Sequence, residues 1–271
     1  MALIAFASPK GGVGKTTVTA HVAALLARRG FKVIALDLDP QNALRFHLGV
    51  SLREERSFAS RLDARPPWRD ALIEAHSGVR VLPFGAVDPG RALELAQLLT
   101  TQPQLLAEPV REMLAVPDLI VLLDSPPGPN AALTALTPYL DLMVLLLLAD
   151  AGSAAIIPQI ANNRFLGRGT LASRSADRAV LVLNQVDEDE PLSDAVFDMA
   201  RAALGTRLIG AICRDQEMAE ALADKRMLLD AEPGAGEDLQ VLTEAIIKRL
   251  KLPRPGGSQG GFSALFEWGR L

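Results

Sequence analysis

The sequence predicts a three-layer α/β/α fold with a mainly parallel central sheet. Apolar runs at Leu3 to Ala7, Phe31 to Leu36, Leu119 to Leu123, Leu142 to Leu148 and Val180 to Leu183 are nearly unbroken, as strands covered on both faces require. Between them lie stretches with helical apolar spacing, so strand and helix alternate along the chain. The residues able to do chemistry fall in the turns that follow the apolar runs, which is where open parallel sheets place their ligand sites.

Taken in order, Leu3 to Ala7 is the first strand and Val18 to Ala27 the first helix, stopped by Arg28-Arg29-Gly30. Phe31 to Leu36 is a strand that delivers Asp37 and Asp39 at its end. Ala43 to Leu48 reads as a short helix, Ser51 to Asp63 as a charged surface stretch, and Pro66-Pro67 as the opening of a helix through Ala75. Val79 to Phe84 is a strand. Arg91 to Leu114 is helical in composition but interrupted at Thr101 to Pro103 and at Pro109, so two or three helices are expected. The strand Leu119 to Leu123 ends in Asp124-Ser125-Pro126-Pro127-Gly128, and Asn130 to Leu136 is a short helix. A strand at Leu142 to Leu148 precedes a helix from Ser153 to Phe165, with Asp150 or Ser153 as its cap. The strand Val180 to Leu183 ends at Asn184. An acidic loop at Asp187 to Glu190, a helix from Ser193 to Leu204, a strand from Leu208 to Ile212 and helices near Gln216 to Ala223 and Glu237 to Leu250 complete the alternation.

The stretch Ser8-Pro-Lys-Gly-Gly-Val-Gly-Lys-Thr-Thr17 sits between the first strand and the first helix. In that context successive backbone N–H groups and the positive end of the helix dipole point at one anion. Gly11, Gly12 and Gly14 let the main chain approach phosphate oxygens without a Cβ in the way, with Val13 between them. Lys15 suits the β and γ phosphates, the Thr16 hydroxyl can ligate Mg²⁺, and Thr17 adds a donor near the α phosphate. An ordinary phosphate loop has a glycine where this chain has Pro9, so the strict pattern fails and Lys-Gly-Gly-x-Gly-Lys-Thr stands in its place.

Composition narrows the classes. A chain of 271 residues with 49% hydrophobic content can bury a substantial core, and a formal charge of −4 argues against a wholesale polyanion binder. Cys213 is the only cysteine, so the chain holds no internal disulfide, iron–sulfur cluster or structural zinc of its own, and reads as a reduced, cytosolic protein with Cys213 as a small core residue. Its longest apolar run, Leu142 to Ala149, is far short of the roughly 20 residues of a membrane-spanning helix.

The Lys10 to Thr17 form resembles the deviant Walker A motif of the ParA/MinD ATPase family. That resemblance implies a P-loop NTPase domain over residues 1–252 that binds ATP and Mg²⁺, with Lys10 reaching across an ATP-dependent homodimer to the neighbour's nucleotide. Asp37-Leu38-Asp39-Pro40-Gln41 resembles the family's switch I, in which the residue matching Asp39 orients the attacking water, and Ser125 to Gly128 resembles switch II. Asp124 matches the Walker B acid that holds Mg²⁺ through water; Asn184 and Arg214-Asp215 match positions that line the adenine pocket. Within the family, Ser8-Pro9-Lys10, Leu148-Ala149-Asp150-Ala151-Gly152-Ser153 and the run from Arg214 to Ala223 resemble the BcsQ/YhjQ branch associated with bacterial cellulose biosynthesis. The branch implies a slow ATPase switch in the cytoplasm that works peripherally with the inner-membrane cellulose synthase and its accessory subunits.

Two other readings compete. A ParA-type partition ATPase would bind DNA non-specifically as an ATP dimer, and Arg164, Arg168, Arg174 and Arg178 could contact phosphates, although the acidic whole-chain balance makes direct DNA binding the weaker expectation. A non-catalytic scaffold would use nucleotide only to hold a dimer, against which intact Lys15, Asp39 and Asp124 argue. Residues 253–271 lie outside the resemblance: a linker from Pro253 to Gly261, then a tail with Phe262, Leu265 and Phe266 on one helical face, either frayed or a docking peptide. The tail's near-neutral charge disfavours membrane binding.

Overall fold

Strand β1 (Ala2–Ala7) runs through the middle of an eight-stranded sheet whose order is β3-β4-β2-β5-β1-β6-β7-β8. The computed structural model describes residues 1–51, 53–164, 177–224, 226–229 and 234–253. The other strands are β2 (Lys32–Asp37), β3 (Ile73–Glu74), β4 (Arg80–Leu82), β5 (Leu119–Asp124), β6 (Leu142–Leu148), β7 (Ala179–Val186) and β8 (Leu208–Cys213). All neighbours pair in parallel except the two-residue β3, which runs antiparallel to β4. Buried on both faces, β1, β5 and β6 read as unbroken apolar runs for the reason that predicted them.

One face of the sheet carries α1 (Lys15–Arg28), α2 (Leu44–His47) and, past the last strand, a long terminal helix, Ala235–Leu250, that packs on β8 and α1. The opposite face carries α3 (Pro89–Thr101), α4 (Gln104–Leu114), α5 (Ala131–Leu136), α6 (Ala151–Ala154), α7 (Ile157–Ala161) and α8 (Pro191–Leu204). A further helix, α9 (Gln216–Ala223), follows β8, which makes the terminal one α10. The three-layer architecture is the one expected. Helix α1 stops where Arg28-Arg29-Gly30 predicted: Gly30 takes a positive φ of 89°, its N–H donates to the Ala27 carbonyl at 2.9 Å, and the Phe31 N–H reaches back to Leu26 at 3.2 Å.

Several elements depart from expectation. The Ser51 to Asp63 stretch is not wholly surface: Phe58, Ala59 and Leu62 are buried in the core on the α3 side, because the 3-10 turn Ala59–Ala64 aims its apolar residues inward. Pro66-Pro67 opens only a 3-10 turn, Trp68–Ala71, after which the chain extends into β3. Pro109 lies inside α4 and does not end it, so Arg91 to Leu114 makes two helices rather than three. The helix expected from Ser153 to Phe165 is two short pieces. Pro158, having no N–H to donate, falls in the first turn of α7, a position it tolerates, and Phe165 lies outside the described residues. Strand β7 carries on past Asn184 to Val186. Of the tail, residues 254–271 lie outside the described residues, as do Arg168 and Arg174 of the arginine cluster.

Candidate functional site

The carboxyl ends of β1, β2 and β5 meet at one point. Register places Asp37 beside Asp124 on adjacent strands, and Phe6, two residues before the glycine-rich loop, beside Asp124 on the other side. Sheet pairing thus brings residues far apart in the chain to the first turn of α1. Helix α1 starts from Gly14 in the left-handed region (φ 82°), has no side-chain cap and carries no acid in its first turn. By contrast α3, α5 and α6 are capped by Asp88, Asn130 and Asp150. Open N–H groups, a helix dipole and a first turn without an acid of its own are what an anion seat at a helix start requires.

Glycine is required twice in that loop. Gly12 has φ 75°, and Gly14 has both a positive φ and a neighbour that leaves no room: a Cβ there would lie 2.4 Å from the Asn184 amide nitrogen. Asn184 is buried, and its Nδ2 donates to the Val13 carbonyl at 2.8 Å, so one of its amide protons ties the loop to β7. This task was not foreseen for Asn184, for which only a place at the adenine pocket was expected.

Inside the seat, Lys15 Nζ donates to Asp124 Oδ1 at 2.9 Å and stands 4.0 Å from Asp39 Oδ2, while the Thr16 hydroxyl donates to Asp124 Oδ2 at 2.7 Å. The Lys15 and Asp124 side chains are 8% and 1% exposed, so this ion pair is nearly dry. Burial pushes the Asp124 carboxyl above its ordinary range, against the pull of Lys15 and Thr16. Asp37 is raised further by burial and then by the neighbouring Asp124 charge. Its oxygens accept the Asp39 N–H at 3.0 Å and the Leu44 N–H at 3.1 Å, shaping the turn that presents Asp39, while Asp39 Oδ1 accepts from Gln41 at 2.9 Å.

The segment after β5 is fastened to the loop. The Ser125 hydroxyl donates to the Phe6 carbonyl at 3.0 Å and the Gly128 N–H to the Ser8 carbonyl at 2.7 Å. These residues fit a nucleoside triphosphate with Mg²⁺. The glycines leave a cradle that side chains would fill, a lysine stands in a nearly dry place at the start of α1, and one hydroxyl with one carboxylate is the sparse protein donor set magnesium takes when phosphates complete its shell. Among the described residues no cluster of three His, Cys, Asp or Glu side chains forms a separate metal site.

Beside Gly14 and Thr17 opens a cleft of about 640 Å³, lined by Asn184, Gln185, Arg214, Asp215, Met218 and Leu239 among others. The residues expected to line a base pocket are therefore together, next to the glycine-rich loop. Arg214 reaches Asp187 at 3.6 Å, and Asp215 accepts the Glu217 and Ala235 N–H groups at 2.8 and 3.0 Å, fixing the starts of α9 and α10. Cys213 also lines the cleft, half-buried rather than core, its thiol pushed up to about 11 by burial and then Asp238. A groove of about 670 Å³ between α3, α4 and α5 touches none of the loop residues and holds no comparable chemistry.

Lys10 stands apart. Its Nζ pairs with Asp150 Oδ1 at 3.4 Å, and the two side chains are 35% and 45% exposed. Asp150, foreseen only as a helix cap, both caps α6 and holds this lysine; nothing in the sequence distinguishes the two duties. Arg178 donates to the Leu140 carbonyl, and Arg164 is exposed. Among the described residues no helix is long and apolar enough to cross a membrane.

Comparison with known proteins agrees with the geometry. The chain is 26% identical over 253 residues to the cellulose biosynthesis protein BcsQ of Salmonella typhi, covering 90% of this chain and 93% of that one. It is 38% identical over 125 residues to the chromosome-partitioning ATPase Soj of Thermus thermophilus, a match spanning 46% of each chain. The fold superposes on the septum site-determining protein MinD of Pyrococcus horikoshii, complexed with Mg-ADP, with a TM-score of 0.69 at 21% identity over 91% of this chain and 96% of that one. With the family model for cellulose biosynthesis protein BcsQ matching residues 1–246, the chain belongs to the BcsQ family, within the nucleotide-binding ATPases of the ParA/MinD type.

Proposed function

We propose that the protein is a slow, Mg²⁺-dependent ATPase whose ATP-bound form is a homodimer, and that this switch serves the assembly, placement or regulation of a cellulose synthase complex. The observation that carries the reading is the division of labour in one loop: Lys15 lies inside a dry acidic seat, whereas Lys10, five residues earlier, lies outside it and can serve another copy. Lys15 and the loop N–H groups would hold the β and γ phosphates, and Thr16 with Asp124 would hold Mg²⁺, which supplies charge neutralisation between the phosphates. Asn184 and Arg214 would bound the base. Asp39, kept in place by the turn around Asp37, would orient the attacking water. Lys10 of a second copy would add the cation that a lone subunit lacks.

Loss of the γ-phosphate would then remove the charge on which the crossing lysine bears, and the dimer would loosen. Sedimentation of the full chain with saturating ATP and Mg²⁺ against ADP tests this: a nucleotide-dependent dimer is expected, and a monomer in both conditions overturns it. Co-purification with the cytosolic parts of a cellulose synthase complex in ATP but not ADP tests the partner.

A partition or positioning role is the second reading, favoured by the 38% identity to a chromosome-partitioning ATPase. It requires retention on DNA with ATP that falls steeply between low and physiological salt. Absence of such retention removes it.

A further inference from the structure

We propose that His21 is a positioning residue for the nucleotide base: its ring ties the segment 226–229 to α1 and so sets the wall of the cleft beside Gly14 and Thr17. This role rests on the reading of that cleft as the base pocket, and it falls to a residue that does not itself line the cleft.

His21 is buried on α1, one turn after Thr17. Its Nδ1 lies 2.8 Å from the Thr17 carbonyl, and a carbonyl only accepts, so Nδ1 carries the ring proton. That leaves Nε2 bare, and it accepts the Leu228 N–H at 3.3 Å. Both hydrogen bonds need the neutral ring, which burial favours by lowering the His21 pKa. The two partners stand 211 − 0 positions apart in neither helix nor sheet pairing; the ring alone joins them through its two nitrogens.

The segment it holds lies between the two helices that face the cleft, α9 through Met218 and Ala219 and α10 through Ala235 and Leu239. Thr17 and Val18 of α1 line the same cleft. The Arg226 N–H donates to the Ala221 carbonyl at 2.7 Å, so the segment continues from the last turn of α9. The Leu229 carbonyl accepts from Arg28 at 3.3 Å and from Gln240 of α10 at 2.9 Å. Those two links are exposed and half-buried, whereas the His21 link is buried, so without it the Leu228 N–H has no solvent to turn to. His21 thus braces the helix that starts at the anion seat against the segment on which the base wall depends.

A segment held in advance needs no ordering when the base arrives. A loosened one lowers the apparent affinity in proportion to the fraction of molecules still held. Loss of one neutral hydrogen bond sets that loss at about fivefold for ATP. A triphosphate without a base does not call on the segment and is unaffected.

The deciding measurement is calorimetry of the full chain in Mg²⁺ with ATP and with inorganic tripolyphosphate, the latter by displacement of ATP. In His21→Gln the side-chain amide lies as many bonds from Cβ as Nε2 does and can accept from Leu228; in His21→Asn it lies only as far as Nδ1 and cannot. His21→Asn should weaken ATP by about fivefold and leave tripolyphosphate unchanged, and His21→Gln should keep ATP within about twofold of wild type, with thermal melting to show that both are folded. Equal loss for ATP and tripolyphosphate, equal loss in both variants, or no loss in His21→Asn each overturns the brace and leaves the base pocket standing. Hydrogen exchange of the unaltered chain gives a check free of any variant: the segment 226–229 should be protected before nucleotide is added, and free exchange there overturns the brace. A wild type that binds ATP no more tightly than tripolyphosphate overturns the base-pocket reading, and the brace with it.

Discussion

Lys15 and Lys10 belong to the same ten-residue stretch yet occupy opposite electrostatic worlds. Lys15 is nearly dry, 2.9 Å from an almost fully buried aspartate and within reach of a second; Lys10 is solvated and held by one exposed partner. Coulomb attraction at short range is several-fold stronger in the first setting than in the second. The difference teaches that one short loop can bury one cation in a dry ion pair and leave the other solvated and free to exchange partners.

The sharpest way to break the contrast is Lys10→Ala. If that lysine acts across a dimer, turnover should fall by ~10³ or more, the range of a cation supplied in trans, while ATP affinity of the isolated subunit stays nearly unchanged. Equal loss of both in a titration would place Lys10 in its own site. Asp39→Ala comes next: turnover should drop by ~10² to 10⁴ while ATP still yields a dimer in sedimentation. A monomer in that variant would remove Asp39 from the water-orienting role. Lys15→Ala should weaken ATP binding by roughly a hundredfold, about 2.7 kcal/mol, read by calorimetry. Retained affinity would mean that the N–H groups of the loop suffice.

Asn184→Ala should weaken ATP by only about fivefold, since a single neutral hydrogen bond is worth ~1 kcal/mol, and part of that loss comes through the freed Val13 carbonyl. The smallest effect lies away from both lysines. His47 on α2 is kept neutral by burial and then by His21, its pKa lowered from 6.5 to about 4. As pH falls the unfolded chain protonates first, so the stability it contributes is fully present above about 6.5 and is lost on the way down to about 4. His47→Gln should flatten the chemical-denaturation profile over that window by on the order of 1–2 kcal/mol, a figure reduced for the partial exposure of the ring.

Local chemistry was legible and long-range packing was not. Strands β1, β5 and β6, the glycine-rich loop and the Gly30 stop each depend on a few contiguous residues, and each is where its sequence puts it. Phe58 and Leu62 were hidden among arginines and glutamates, and only the 3-10 turn sorts the two kinds onto separate sides. The two residues of β3 carry no periodicity at all, and their pairing with β4 makes them a strand. At the site, Asp39 and Asp124 announce themselves by following apolar runs. The Asp150–Lys10 pair and the Asn184 tie to Val13 join residues more than a hundred positions apart, and each partner already had a sufficient local explanation.

The margins of the sheet have a consequence of their own. At one margin stands β3, only two residues long and reversed; at the other β8, whose pairing with β7 slips register twice and whose Gly210 sits tightly under Leu242 of α10. Short, bulged or covered borders offer poor templates for adding strands from a neighbouring molecule. In the proposed dimer, two copies would therefore find a poor template for joining side by side into an irreversible ribbon, which leaves the loop rim as the place where they would meet and part.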